Sequence, residues 1–517
     1  MKSTREYELE IKNLKDSLLK KEKEITSLKK TSKIQSKLLK QKDELLKDLL
    51  RENKTEEYKR KYLISKDEIK RLTRELEAIN AIVEDLKTRI NKNSSNSSKP
   101  SSTDGFKKQI HNFREKTARL TGGQKGHKGV TIKQKESPTE IVEKKAGKCS
   151  CGGNVTSSDM YTRKQIVDVE IRTICKEERV YKGVCDKCGK AHTGSFSKEF
   201  VNPVQYGQNI KTLVGLLLNE GYLSLNRCQS FFKEISQGEI QLSEGTLVKI
   251  NSEISQKGKK EIEKIKNKLL ESEVAHSDET GVRVCGKQGW LHTLCNEWYV
   301  YYEVHKKRGT EALDEMELLK VFTGILVHDH FKPYYKYKQI TQAECNAHIL
   351  RYLKGFIEIF HRKETEDFIE YMVELNNRKK EAIRQGKKNF SKKEIEQIET
   401  EYKRKLEAWK KAYYQYITGK KVNETLNDER CLFERLLKYS EEHLRFITNF
   451  KVPFDNNMAE RALRMIKTKK NVSGGFRSER GAEDFANIRS LIGSAKKQGK
   501  NLYNYMLEII SSPICEN

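Results

Sequence analysis

The sequence predicts a multidomain α+β protein, and three observations predict it. Residues 1–92 carry a heptad seam in a field of charge. Residues 140–200 hold two cysteine pairs among period-2 strand patterns. From about residue 272 the chain turns to short strands rich in Val, Tyr and Trp, and from about 344 it returns to long charged helices.

Composition bounds the rest. Over 517 residues, 102 Lys and Arg exceed 74 Asp and Glu, giving a net charge of +28; 34% of residues are charged and 36% hydrophobic. That is more charged and less apolar than a typical globular protein. Either one compact basic domain or ordinary domains plus long solvated helices would account for it, and a polyanionic partner is expected. No stretch approaches the ~18 consecutive apolar residues of a membrane helix. The N-terminus MKSTREYELE lacks a signal-peptide core. A soluble intracellular protein with no membrane partner is therefore expected. The eleven cysteines are odd in number and scattered, unlike a secreted disulfide framework.

In residues 1–92, Ile69, Leu72, Leu76, Ile79, Val83, Leu86 and Ile90 recur in alternating steps of three and four. An earlier run, Ile11, Leu14, Leu18, Ile25 and Leu28, keeps that spacing, and the seam blurs between Thr31 and Tyr62. Neither Pro nor Gly interrupts the first ninety residues. A heptad seam flanked by charge predicts a coiled coil and a homo-oligomer; a helix packed on its own domain is the alternative. Residues 93–139 are a polar linker and a basic arm, Gly122-Gly123-Gln124-Lys125-Gly126-His127-Lys128-Gly129. Its glycines suit close approach to a phosphate chain, with Lys125 and Lys128 as DNA contacts, or simply a flexible loop.

Residues 140–200 contain Cys149, Cys151, Cys185 and Cys188, with a strand pattern over Gln165 to Ile171 between them. Paired thiolates in a small strand-linked segment predict a structural Zn²⁺ site. One intervening residue between Cys149 and Cys151 makes that half irregular, and His192 could replace one thiolate. Residues 201–265 read as three helices, Ile210 to Asn219, Asn226 to Ile235 and Ser243 to Ile254, either a helix-turn-helix-like DNA reader or a plain helical unit.

Residues 266–354 predict strands at Ser272 to Val284, Trp290 to Asn296, Trp298 to Val304 and Phe322 to His328, with a helix over Thr310 to Lys320. Residues 355–450 read as helical, with a capping box at Ser391 and Glu394 stapled by Phe390 and Ile395. Residues 451–517 read as helix, basic turn and helix.

Three acids stand at telling places: Asp278 in the first strand, Asp329 at the end of a buried strand, and Glu460 in the first turn of a late helix. Acids converging from strands and a helix can hold two Mg²⁺ ions about 4 Å apart, the clamp for in-line phosphoryl displacement. Each has a plain reading too. Asp278 and Asp329 could be turn residues, and Glu460 could belong to a capping box at Asn457. Arg461, Arg464, Lys467, Lys469, Lys470 and Arg477 follow the third acid, and Glu460, Arg464 and Lys467 share a face fit for DNA backbone or for solvent.

Several segments together resemble insertion sequence 66-type transposases. They are His276-Ser277-Asp278-Glu279-Thr280-Gly281, Trp290-Leu291-His292, Gly324 to Asp329, Cys345-Asn346-Ala347-His348-Ile349-Leu350-Arg351 and Asp455 to Arg461, with Asn93 to Pro100 and Gly122 to Gly129 upstream. Tyr206-Gly207 and Glu244-Gly245-Thr246 echo that family's helical region. The resemblance runs in order over residues 90–517. It implies a DDE transposase with an RNase H-like α/β catalytic core in two parts, 266–354 and 451–517. The 131-residue separation of Asp329 and Glu460 then includes a helical insertion over 355–450. It also implies Asp278, Asp329 and Glu460 as catalytic Mg²⁺ ligands, with Mn²⁺ able to substitute. Cys345 and His348 match a C-x-x-H signature. The partners implied are double-stranded DNA, at element ends and target, and accessory proteins of the same element, in the cytoplasm and at the nucleoid of a prokaryote. A catalytically inactive zinc-containing DNA-binding regulator is the alternative. The family's first knuckle is usually CxxC, so Cys149-Ser150-Cys151 departs from it.

Overall fold

The computed structural model describes residues 41, 44, 59–75, 132–145, 147–156, 159–419 and 422–513. The heptad positions from Ile11 to Leu28 and from Leu76 to Ile90, the linker from Asn91, and the arm with Lys125 and Lys128 lie outside the described residues. The chain divides into two units, residues 1–90 and 91–517. In the first, residues 59–75 are helical, with Leu63, Ile64 and Leu72 exposed.

In the second unit, β1 (Lys182–Val184) and β2 (Ala191–Thr193) form a short antiparallel hairpin. The strand expected over Gln165 to Ile171 is not formed, and Ile166, Val169 and Ile171 stay exposed. Alternation alone does not make a strand: without a neighbouring ladder, the backbone groups go to water. The helices follow: α1 (Gln208–Asn219), α2 (Leu225–Ile235), α3 (Glu244–Lys257) and α4 (Lys259–Leu270). Ser224 and Ser243 begin α2 and α3 by accepting the N–H groups of Arg227 and Thr246, each satisfying a free donor of the first turn.

The sheet comprises β3 (Val274–Val284), β4 (Lys287–Cys295), β5 (Val300–His305), β6 (Ile325–His328) and β7 (Thr341–Glu344), in spatial order β5-β4-β3-β6-β7. β3, β4 and β5 are antiparallel neighbours, whereas β6 and β7 run parallel to β3. The β3–β4 hairpin is longer than the sequence pattern indicated. Cys285 and Gly286 both have positive φ, 51° and 76°, the pairing a two-residue type I′ turn requires. Between β5 and β6, the single helix expected over 310–320 is two, α5 (Thr310–Glu315) and α6 (Leu318–Val321), because Glu317 is left-handed at φ 59°.

Helices α7 (Asn346–Phe360), α8 (Lys363–Arg384), α9 (Lys392–Ile417), α10 (Glu424–Lys438) and α11 (Ser440–Thr448) follow β7. The capping box of Ser391 and Glu394 opens α9. Three more helices, α12 (Asn457–Ser473), α13 (Glu479–Lys497) and α14 (Leu502–Ser511), complete the described chain.

Period-2 alternation sorts the strands between different cores. Leu294, Tyr301 and Leu326 join α1–α4, α13 and α14 in one core. Their neighbours Cys295 and Tyr302 pack with Ala459, Leu463 and Ile466 of α12, and Val327 packs into the core of α7–α11. The helices before the sheet therefore share a core with it.

Candidate active site

The parallel pairing of β3 with β6 puts His276 opposite Val327. Asp278 lies two residues further along β3, and Asp329 is the residue just past the end of β6, close enough for the two carboxylates to interact. Burial first, then the facing Asp329 and Glu279 carboxylates, push the Asp278 carboxyl well above its ordinary range. Burial and Glu279 push Asp329 up to about 7. One Asp329 oxygen, Oδ1, is buried without a hydrogen-bond partner. The next acid along β3, Glu279, is differently placed. Its side chain is fully buried, paired with Arg308 Nη2 at 2.7 Å, and accepts the Tyr334 hydroxyl at 2.9 Å.

Glu460 reaches the site from the first turn of α12. Asn456, just before that helix, fixes the approach. Its Nδ2 donates to Ser277 O at 2.8 Å, its Oδ1 meets His276 Nδ1 at 2.9 Å, and its backbone N–H points to Cys345 Sγ at 3.1 Å. Asn456 thus ties the strand bearing Asp278 to the helix bearing Glu460. No capping box forms at Asn457. Glu460 Oε1 also lacks a hydrogen-bond partner; it lies 3.7 Å from His348 Nδ1 and 3.6 Å from Arg351 Nη2. The ligand oxygens of Asp278, Asp329 and Glu460 do not all come within 4.8 Å of one another; the group that does is Cys345, His348 and Glu460.

The donor set fits hard divalent cations. Asp278 and Asp329, raised by burial and then by neighbouring acids, and the orphaned oxygens on Asp329 and Glu460, are short of positive charge.

A buried polar network backs the second acid. The residue after Asp329, His330, is left-handed at φ 51°. It pairs with the buried Glu344 at the end of β7, which also accepts the Tyr335 hydroxyl. Arg435 of α10 reaches Glu344 Oε2 at 3.1 Å, and His443 of α11 approaches it at 3.5 Å. Burial alone would raise Glu344, but His443, His330 and Arg435 outweigh it and hold the carboxyl below its ordinary range. Sequence reasoning missed Glu344, Asn456 and Arg308. The signal for Glu344 was an acid closing a short strand just before the Cys345 segment; Asn456 stood inside a noted motif without a role.

The four module cysteines sit in two tight turns. Gly152 donates to Cys149 O and Gly189 to Cys185 O, each at 2.9 Å. Groups of Cys151 hold the Cys149 thiol below its ordinary range, and the backbone of Cys188 and Lys187 does so for Cys185. Cys149, Cys151 and Cys188 are exposed. Among the described residues, no three of these four thiols lie within 4.8 Å of one another. His192 is exposed in β2, opposite Gly183.

Of the basic residues, Arg461, Arg464, Lys467 and Lys470 are exposed along α12. Lys469 is partly buried over the Phe485 ring. Arg477, beyond the turn, is exposed and pairs loosely with Glu244 at 3.4 Å. Lys125 and Lys128 lie outside the described residues.

The fold is mixed α+β, and its sheet brings Asp278 and Asp329 together with an exposed basic helix alongside. Residues 204–484, just over half the chain, match the family model described as transposase IS66 family, and the chain belongs to that family. Residues 4–133 match a family of unknown function. No curated protein matches the chain. Among the described residues, no helix is long and apolar enough to cross a membrane.

Proposed function

We propose that this transposase binds the ends of an insertion sequence and carries out Mg²⁺-dependent strand cleavage and strand transfer through Asp278, Asp329 and Glu460. One observation carries the reading. Two carboxylates, one on β3 and one just past the end of the parallel strand β6, are driven toward protonation by burial and neighbouring acids, and unpartnered oxygens remain on Asp329 and on Glu460. The meander β3–β5 with β6 and β7 on the far side of β3 supports an RNase H-like core, and α7–α11 support an insertion before the third acid.

Held by these carboxylates, Mg²⁺ would supply Lewis-acid stabilisation of the phosphoryl group and a lowered pKa for the attacking hydroxyl. The chain's own residues do the placing. Asp278 and Asp329 must ionise to serve as donors. Asn456 sets the direction of Glu460, and Glu344 holds the turn after Asp329. Arg461, Arg464, Lys467, Lys469, Lys470 and Arg477, with Lys125 and Lys128 of the arm, take the phosphate backbone. Water attacks the phosphodiester at the element's end, and a 3′-hydroxyl leaves. That hydroxyl then attacks a target phosphodiester, one P–O bond forming as another breaks, with no protein–DNA bond. Zn²⁺ on Cys149, Cys151, Cys185 and Cys188 would staple the small module. The N-terminal coil would pair copies of the chain, and accessory proteins of the same element would join the assembly.

Purified Asp278→Asn protein is expected to lose Mg²⁺-dependent nicking and strand transfer on DNA carrying the element's ends, while salt-sensitive DNA retardation survives. Full activity in that variant sinks the assignment. Retardation by the wild type that is never accompanied by nicking, with Mg²⁺ or Mn²⁺ present, favours the inactive regulator.

A further inference from the structure

A second set of donors adjoins Glu460. Cys345 precedes α7, and His348 lies in its first turn. His348 Nδ1 is 3.3 Å from Cys345 Sγ and 3.7 Å from Glu460 Oε1. The sulfur, nitrogen and oxygen all lie within 4.8 Å of one another, and among the described residues no other group of His, Cys, Asp and Glu does this. Zinc bonds thiolate at about 2.3 Å and imidazole or carboxylate at about 2.0–2.2 Å, so tetrahedral angles set donor separations near ~3.4–3.6 Å. The observed 3.3 and 3.7 Å bracket that spacing before any ion arrives. The chemistry agrees. His348 Nδ1, the ring nitrogen that can offer a lone pair, faces both Cys345 Sγ and Glu460 Oε1. The Asn456 N–H aimed at Cys345 Sγ would stabilise a thiolate. Glu460 Oε1 has no hydrogen-bond partner.

We propose that Cys345, His348 and Glu460 form an inhibitory zinc site that draws the third acid away from Asp278 and Asp329. Zinc displaces the thiol proton of Cys345 to solvent, and Arg351 releases Glu460. Thiolate and imidazole select a borderline-soft cation, whereas Mg²⁺ requires oxygen donors. Glu460 serves one set or the other, so zinc occupancy and phosphoryl transfer exclude each other. The inhibitory half rests on Glu460 being the third acid; binding does not.

The full chain titrated with Co²⁺, a spectroscopic stand-in for zinc, tests binding directly. Wild type is expected to take up one equivalent more than Cys345→Ser or His348→Gln, with extra thiolate-to-cobalt charge-transfer absorption lost in Cys345→Ser. Circular dichroism checks that both variants fold, and either one suffices. Identical uptake and spectra in all three proteins overturn the site. In parallel, Zn²⁺ is added to Mg²⁺-dependent cleavage, each variant compared with its own zinc-free rate. Losing a direct ligand should raise the inhibitory Zn²⁺ concentration by at least the ~10–100-fold that losing an outer-shell partner of a metal ligand costs. Uptake without inhibition of the wild type overturns the regulatory role. If zinc-free wild type never cleaves, the transposase reading fails instead, and the Co²⁺ titration still decides the site.

Discussion

Asp329 carries a sign that can be measured. Its folded-state carboxyl is pushed up to about 7 from an ordinary 3.8, by burial and by Glu279. Between those values the folded chain keeps a proton that the unfolded chain has lost, so stability falls as pH rises through that window. Asp329→Asn removes the titration. In EDTA, wild type should lose about 1–4 kcal/mol relative to that variant between pH 5 and pH 8, read by urea denaturation. Parallel pH dependences would refute the assigned environment. Added Mg²⁺ should raise the Tm of wild type at pH 8 and leave Asp329→Asn nearly unmoved. Glu344 has the opposite sign. Its carboxyl is held low by His443, His330 and Arg435 against the pull of burial, so its contribution is present at neutral pH and fades on acidification. Glu344→Gln leaves Arg435 without its counter-charge, and should cost about 3–5 kcal/mol at pH 7, the scale of a broken buried pair.

Among elements, the edge of the sheet is the instructive case. An uncovered edge strand offers free backbone groups to other chains. Here α13 closes it. Ser490 Oγ accepts the Tyr302 N–H at 2.9 Å, and Ser494 Oγ accepts the Val300 N–H at 3.0 Å and donates to Val300 O at 3.1 Å. Such an approach needs Gly493, where a Cβ would lie 2.5 Å from Val300 Cγ1. Gly493→Ala should overpack the interface by about 1–3 kcal/mol. Ser490→Ala should leave a buried N–H unpaired at about 1–3 kcal/mol. Urea midpoints of the two variants check both. This contact explains what the sequence could and could not disclose. Most strand and helix types from residue 205 onward follow from local periodicity, β7 being the strand it did not reveal, and Asp278 and Asp329 stand out because one sits on a strand and the other just past the end of one. Ser490 meets Tyr302 across 188 residues, and Asn456 meets His276 across 180, so no local pattern announces either. Glu317 broke its helix through a backbone angle that its residue type does not advertise. Gln165 to Ile171 had the right alternation and lacked a partner strand.

At the scale of the whole molecule, the surplus of +28 need not sit in one basic domain. Exposed Arg461, Arg464, Lys467 and Lys470 line α12 beside Glu460, and much of the remaining charge covers helix surfaces. Residues 59–75 show what such a helix needs. Leu63 and Leu72 are more than half exposed, while Tyr62 and Ile69, seven residues apart, are only partly covered. A lone helix in water is marginal even when well charged, so an apolar stripe at this spacing calls for a partner. Under the proposed coiled coil, a second copy of the same chain would supply a matching seam. A chain beginning at residue 93 should therefore sediment as a smaller assembly than the full-length protein. The Tm of its remaining unit should not change, because a coil between copies adds nothing to that unit's core. If the N-terminal helix instead packed on its own domain, the outcomes would reverse: assembly size would hold, and the shortened chain would melt earlier.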